Sequence, residues 1–421
     1  MSYYTAEIGS KLIDPNVFVP NVRCEFQLPP NDYGNRMRLE NVGLFGANNR
    51  KYNQYAGVFG SIKSIRLLNG RDELDACREC NRYLSFKKRF NRPNKSSLSV
   101  SQQAMKNEYG LVLSGQGAGN AVGTPRSIEI TSCDLGGPAN LQVAAGEAAT
   151  PKGYLDLREV FPILGALEVL PKALFPQLRV VIEYETNIQN LVDNTGDSMT
   201  TTRPLLAVDV IEDEGLVKSM MGELNGASWD CVEHDLVRID ANNADALGVE
   251  SSRRLNGFNN KRMTRFFLSK APSDKTQNVN GAAVLTGGDL ISQALLNEKY
   301  QVRVNGMNKI PRTGTEYPSE MMSMLVDAYG DCTTYFGCEK VGADQQSSMC
   351  SAELAGGRNS YFGMIINQVV KDFQLEITRD TRASTKTTNP RPENSGYEIH
   401  VFADIRKQLL VAGGKYQVIY A

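Results

Sequence analysis

Histidine is almost missing from this chain: His234 and His400 are the only two among 421 residues. A serine or cysteine nucleophile needs a base to take its proton, and histidine usually supplies it. Both histidines fall in strand-like stretches and read as structural. Glu233 and Asp235 flank His234 and are expected to raise its pKa. No paired carboxylate motif stands out, and Glu212-Asp213-Glu214 reads as a solvated turn. Enzymatic activity is therefore not expected.

Other scarcities exclude further classes. No apolar run approaches the ~20 residues of a membrane span. The opening Met1-Ser2-Tyr3-Tyr4-Thr5 lacks the basic region and apolar core of a secretory signal. With 46 basic and 47 acidic residues, net charge favours neither a nucleic acid nor a membrane. The eight cysteines are too scattered for a disulfide framework, so reduced thiols are expected. Cys77-x-x-Cys80 would supply two of the four ligands of a zinc site, but no partner pair is evident. Neither a metal nor another cofactor is expected. The single tryptophan, Trp229, reads as a core anchor. Gly115-x-Gly117-x-Gly119 is followed by strand-like Ser127-Ile128-Glu129-Ile130 rather than a helix, so it reads as a surface loop.

What the chain does have is turns and short strands. Its 37 glycines, with many Asn, Ser and Thr, suit long loops. Residues 1–30 look extended, as an arm or edge strand. Strands are expected at Met37–Gly46, Gly57–Asn69, Leu111–Leu113, Ser127–Thr131, Leu178–Tyr184 and Leu205–Val210. Others are expected at Trp229–Ile239, Arg262–Leu268, Tyr300–Val304, Phe362–Val370, Asp372–Ile377, Tyr397–Phe402 and Gln408–Val411. Gly413-Gly414 marks a terminal hairpin. Asp72–Phe86 places Leu74, Cys77, Asn81 and Leu84 on one helical face, with acidic residues at its start and Lys87, Lys88 and Arg89 at its end.

One pattern occurs twice. Ile65-Arg66-Leu67-Leu68 is closed by Asn69-Gly70, and Val302-Arg303-Val304 is closed by Asn305-Gly306 (305 − 69 = 236). Ile182-Glu183-Tyr184 and Val418-Ile419-Tyr420 repeat the offset (420 − 184 = 236). Two β-rich halves on one plan are expected, at 1–195 and 204–421 with a polar linker at 196–203.

The closing segment Val401-Phe402-Ala403-Asp404-Ile405-Arg406-Lys407-Gln408-Leu409-Leu410-Val411, then Gly414-Lys415-Tyr416, resembles the C-terminal hairpin of double jelly-roll major capsid proteins. The nearest group is that of polinton-like viruses, with virophages and adintoviruses as relatives. The strand–Asn-Gly–helix element at Ile65–Arg82, the run Leu170–Tyr184 and Leu255-Asn256-Gly257-Phe258-Asn259-Asn260-Lys261-Arg262 are similar to that family too.

The resemblance implies an all-β fold of two tandem eight-stranded jelly rolls. It further implies a homotrimeric, pseudo-hexagonal capsomer that tiles the icosahedral shell of a dsDNA virus. Its partners would be neighbouring capsomers and penton and minor capsid proteins, with no small-molecule substrate. Its place would be the virion, after assembly inside the host cell. The competing reading is a β-sandwich viral spike or a carbohydrate- or receptor-binding protein.

Two basic clusters are candidate contacts. Lys87, Lys88, Arg89, Arg92 and Lys95, with Phe86 and Phe90 beside them and no acid, suit the inner surface or a capsomer contact, facing packaged DNA or an internal membrane. Arg253, Arg254, Lys261 and Arg262, around Gly257, suit a contact between neighbouring jelly rolls.

Overall fold

The computed structural model describes residues 8–46, 50–51, 57–90, 110–113, 128–131, 142–143, 153–186, 199–239, 250–272, 298–311, 314–315, 318–330, 361–379 and 397–421. Sixteen strands carry the architecture. The first eight are β1 (Ile8–Ile13), β2 (Arg23–Gln27), β3 (Tyr33–Val42), β4 (Ile62–Asn69), β5 (Asp72–Arg78), β6 (Gly153–Asp156), β7 (Leu178–Tyr184) and β8 (Leu205–Ile211). The second eight are β9 (Ser228–Ile239), β10 (Glu250–Arg254), β11 (Lys261–Pro272), β12 (Glu298–Val304), β13 (Met307–Asn308), β14 (Tyr361–Val370), β15 (Phe373–Arg379) and β16 (Tyr397–Ala412).

All pairings among them are antiparallel. The first set forms one sheet in the order β1-β8-β3-β6 and another in the order β2-β7-β4-β5. The second set repeats this as β9-β16-β11-β14 and β10-β15-β12-β13. Counted within each set, both halves read 1-8-3-6 over 2-7-4-5, the strand order of a jelly roll. Alternation builds each sandwich: Met37 and Leu39 on β3 and Leu206 and Val208 on β8 face the first core, while Arg36 and Arg38 stay exposed.

The repeated Asn-Gly pairs close corresponding hairpins, β4–β5 and β12–β13. Val304 pairs with Met307, so Asn305 and Gly306 alone make the loop, both at positive φ (53° and 78°). A two-residue loop of that kind follows the twist of the strands it joins. In the first half Asn69 is already paired with Asp72, and Gly70 (φ 61°) takes the strained place. The two side chains also do corresponding work. Asn69 Oδ1 accepts from Gln177 N at 2.9 Å, and Asn305 Oδ1 from Lys371 N at 2.7 Å, each just before the seventh strand.

Three expectations change. Asp72–Arg78 is a strand, and the helix α1 begins only at Cys80 and runs to Phe90. Leu67 faces Asp75 while Leu68 faces Glu73, so Leu74 is an extra, bulged residue. The bulge turns both Leu74 and Cys77 inward, three residues apart, and imitates helical spacing. Second, the division between the halves lies beyond Ile211, not at 196–203. β8 is inserted between β1 and β3, Met199–Thr201 pairs with Leu44–Gly46, and Thr202 N donates to Gly43 O at 3.0 Å. Third, Tyr184 and Tyr420 are not counterparts. Tyr184 ends the seventh strand β7, whereas Tyr420 ends an additional strand, β17 (Lys415–Tyr420), paired with β16 after a Gly413-Gly414 turn.

Short helices fill the crossings. Pro162 opens α2 (Pro162–Ala166) at its first turn, where its missing N–H costs nothing. The acidic Glu212-Asp213-Glu214 is a helix start rather than a plain turn: Asp213 caps α3 (Glu214–Met221), accepting from Leu216 N at 3.0 Å. The helix α4 (Pro318–Tyr329) precedes β14 and packs on it.

Candidate functional site at the junction of the jelly rolls

The densest chemistry in the described residues lies where the two jelly rolls meet. The first contributes the end of β5, α1 and α2. The second contributes the outer face of its β9-β16-β11-β14 sheet. His234, Phe402 and Phe267 stand side by side across that face, because His234 pairs with Phe402 and Phe402 with Phe267. From α1, Phe86 stacks on Phe267 at 3.6 Å between ring centroids and meets Tyr329 at 4.9 Å and Tyr361 at 5.1 Å. Tyr83 reaches Phe267 and Phe402 at 6.3 and 6.1 Å. Phe86 is 2% exposed. Burying such a ring is worth ~1.5–3 kcal/mol, and favourable ring pairs add ~0.5–1.5 kcal/mol each.

Polar groups close the rim. Arg265 Nε donates to Asp404 Oδ2 at 2.5 Å, its Nη1 to Ala328 O at 2.7 Å, and its guanidinium lies 4.4 Å from the Tyr329 ring centroid. Burial pushes the Asp404 carboxyl up, with Arg265 pulling the other way. Asp75 is wholly buried; its oxygens accept from Ala76 N and Ile163 N, both at 3.0 Å. Burial pushes its carboxyl up to about 7. A cavity of about 430 Å³ between the jelly rolls is lined by Tyr83, Lys87, Arg158, Trp229, Arg265 and Asp404, among others. Its charged groups are engaged with the protein itself: Arg158 with Asp156, Arg265 with Asp404. Trp229 is buried, as expected of a core anchor.

At the far end of the junction the C-terminal strand grips the first jelly roll. The hydroxyl of Tyr416 accepts from Asn69 Nδ2 at 2.9 Å and donates to Asp72 Oδ2 at 3.2 Å, and its ring lies 4.9 Å from that of Phe175.

The histidines sit in the same seam. Nε2 of His234 and Nδ1 of His400 are 3.0 Å apart, and the rings stack. The expected rise in the His234 pKa is reversed. Burial under the first jelly roll depresses it to about 4, more than the nearby Glu79 and Asp235 can offset. Cys77 and Cys80 are free and buried, one on the end of β5 and one opening α1; burial raises the Cys77 thiol well above its usual range.

Of the first basic cluster, Lys87 is built into the junction. Its Nζ donates to Glu159 O at 2.9 Å and stands 5.5 Å from the Tyr83 ring centroid. Lys88 and Arg89 belong to α1, while Arg92 and Lys95 lie outside the described residues. Members of the second cluster find partners within their own jelly roll. Arg254 is 3.7 Å from Asp372, and Arg262 reaches Asn367 at 3.5 Å. Lys261 bonds Glu233 at 2.9 Å and Gly257 O at 2.7 Å and lies over the Tyr420 ring. Arg253 sits on β10 opposite Leu375. Within this chain the two jelly rolls are joined by Tyr83, Phe86, Asn69, Asp72 and Tyr416. Sequence spacing gave little sign of them, because an aromatic that packs on a second domain looks like any core aromatic.

This geometry can be set beside known structures. The fold matches a chain of the PBCV-1 virus capsid with a TM-score of 0.55 at 10% identity, over 99% of this chain and 97% of that one. It matches a chain from the Sputnik virophage structure with a TM-score of 0.55 at 10% identity, over 98% and 88%. It matches the Faustovirus major capsid protein with a TM-score of 0.55 at 10% identity, over 97% and 91%. The fold is the double jelly roll of viral major capsid proteins. No family model and no curated protein matches the sequence. The likeness covers nearly the whole chain and so takes in both jelly rolls.

Proposed function

We propose that this double jelly-roll protein is the major capsid protein of a dsDNA virus of the polinton-like group. Three chains form a pseudo-hexagonal capsomer, and capsomers tile an icosahedral shell with penton and minor capsid proteins. The observation that carries this reading is the side-by-side union of two jelly rolls of one strand order, matched end to end by capsid chains. Two sandwiches locked at one angle make a third of a six-sided block, and locking them in one chain removes the cost of associating them.

Lys88, Arg89, Arg92 and Lys95 are assigned to the inner surface or a capsomer contact, facing packaged DNA or an internal membrane. Lys87 is already used at the junction.

The test is native mass spectrometry of the purified chain with electron microscopy of expressed particles. Trimers with more than ~2,000 Å² buried per pair of chains, and regular shells, are expected. Monomers alone at micromolar concentration would overturn the reading. Isolated trimers decorating a different shell would favour a spike.

A further inference from the structure

The chain has two histidines, and both stand in the seam between its jelly rolls. They lie on β9 and β16, where β5 of the first jelly roll packs on β9. Nε2 of His234 and Nδ1 of His400 are 3.0 Å apart, so one proton between them makes a hydrogen bond. His400 is buried, and its Nε2 lies 3.5 Å from Oε2 of the buried Glu398. Glu398 also accepts from Arg238 Nη2 at 2.7 Å. Beside His234 on β9, Asp235 accepts from Gly257 N at 3.0 Å. From the first jelly roll Arg78, at the end of β5, Glu79, and Arg82, on α1, face His234. Arg82 Nε donates to Glu79 Oε2 at 3.1 Å, and its side chain is 2% exposed.

This arrangement holds one added proton but not two. The first is accommodated with His400 Nε2–H towards Glu398 and Nδ1–H towards His234. The second must go to His234 Nε2, where it meets the N–H of His400. Two cations then face each other across 3.0 Å in a site closed to water. Acid acts on the covering side as well. It removes the charge of Glu79 but not that of Arg78 or Arg82, so both sides of the contact become cationic. Burial holds the His234 pKa down at about 4, against 6.5 in an open chain. At tenfold per unit, the closed seam disfavours that proton roughly 300-fold.

We propose that the His234–His400 pair is an acid latch: protonation of both rings releases β5 and α1 from the sheet face of the second jelly roll, and the two sandwiches part while each keeps its strands. Histidine suits this role because its charge changes in mild acid while the strands that carry it stay paired. Release bares Phe267 and Phe402, which Tyr83 and Phe86 cover in the closed seam. In the shell proposed above, every block would loosen together. The latch itself is a property of the single chain.

The test takes the full chain from neutral pH to pH 3 in small steps. Binding of an anilinonaphthalene sulfonate dye reports bared apolar surface, and far-UV circular dichroism reports the strands. The unaltered chain is expected to bind dye as pH falls through about 4, with its strand signal retained. His234→Gln keeps an amide nitrogen in the place of Nε2, and His400→Asn keeps one in the place of Nδ1; neither titrates. In each variant the midpoint of dye binding is expected to fall by at least ~1 pH unit. Hydrogen exchange at C2 of the imidazoles, read by mass spectrometry on the unaltered chain, needs no variant to fold. It should place the titration of His234 at the dye midpoint. Four results would each overturn the latch: no dye binding down to pH 3, strands lost together with the seam, variants that open at the unaltered midpoint, or His234 titrating away from that midpoint. The third would assign the opening to carboxylates such as Glu79. All are read on the single chain, so the trimer test of the capsid reading stands or falls apart from them.

Discussion

Asp75 has both carboxyl oxygens held by backbone N–H groups in a site closed to water, and burial moves its pKa from 3.8 to about 7. An unfolded chain releases this proton near the lower value and the native chain near the higher. Between them the native state holds the extra proton, so stability falls as pH rises through that window. His234 works in the opposite sense. Its pKa falls from 6.5 to about 4, so its contribution is complete above the upper value and is lost as pH falls towards the lower. Asp75→Asn should remove one of these opposing slopes. Between pH 5 and 8 the unaltered protein should lose on the order of 2–3 kcal/mol more stability than the variant, at ~1.4 kcal/mol per pKa unit. Urea melts at the two pH values measure this, and parallel curves would show that Asp75 is not the titrating group. Asp75 did not announce itself in sequence, and His234 was read there with the opposite sign. His234 has acidic neighbours in the chain, but the first jelly roll, brought over it by folding, sets its environment.

At the scale of elements, α1 and the β16–β17 hairpin are the two clasps. Phe86→Ala leaves a cavity in a packed aromatic cluster and should cost ~3–5 kcal/mol. Tyr416→Phe keeps the ring against Phe175 but removes the hydroxyl shared by Asn69 and Asp72, and should cost ~1 kcal/mol. Chemical denaturation of each variant checks the ranking, and an equal cost would place the burden on the hydrogen bonds rather than the rings. The hairpins were the most legible elements. Asn-Gly and Gly-Gly announce a backbone conformation that few other residues adopt, so the turns at Gly70, Gly306 and Gly413 were fixed locally. The strand β5 resembled a helix for an equally local reason: one bulged residue, Leu74, changed the spacing of its buried positions from two to three.

For the molecule as a whole, the all-β class and the two-part plan were readable, because short strands and turn signals recur along the chain. The division was not. A strand after a polar stretch looks like the start of the next unit, and only the pairing of Leu205–Ile211 with Ile8–Ile13 reveals it as the end of the first. Most buried apolar residues of both jelly rolls belong to one continuous cluster that passes through the junction, with Val169, Ile211, Val217 and Met220 forming a small separate one. A single calorimetric transition is therefore expected for the described body, with coincident loss of secondary structure and tryptophan fluorescence. Two resolved peaks would mean that the seam is weaker than its aromatic packing indicates.

The place of the eighth strand sets a timetable for synthesis. In each jelly roll the eighth strand lies between the first and the third, so the sheet that holds them cannot zip up as the chain emerges. The ribosome must produce Leu205–Ile211 before Ile8–Ile13 and Tyr33–Val42 have anything between them, and Tyr397–Ala412 before Ser228–Ile239 and Lys261–Pro272 do. Until then both sandwiches show open strand edges to a crowded cell, where other nascent copies offer matching edges. Pairings of such long sequence separation form slowly. The arrangement that gives a durable shell therefore makes the newborn chain a client for chaperones, and yield should rise when synthesis is slowed or a holding chaperone is supplied.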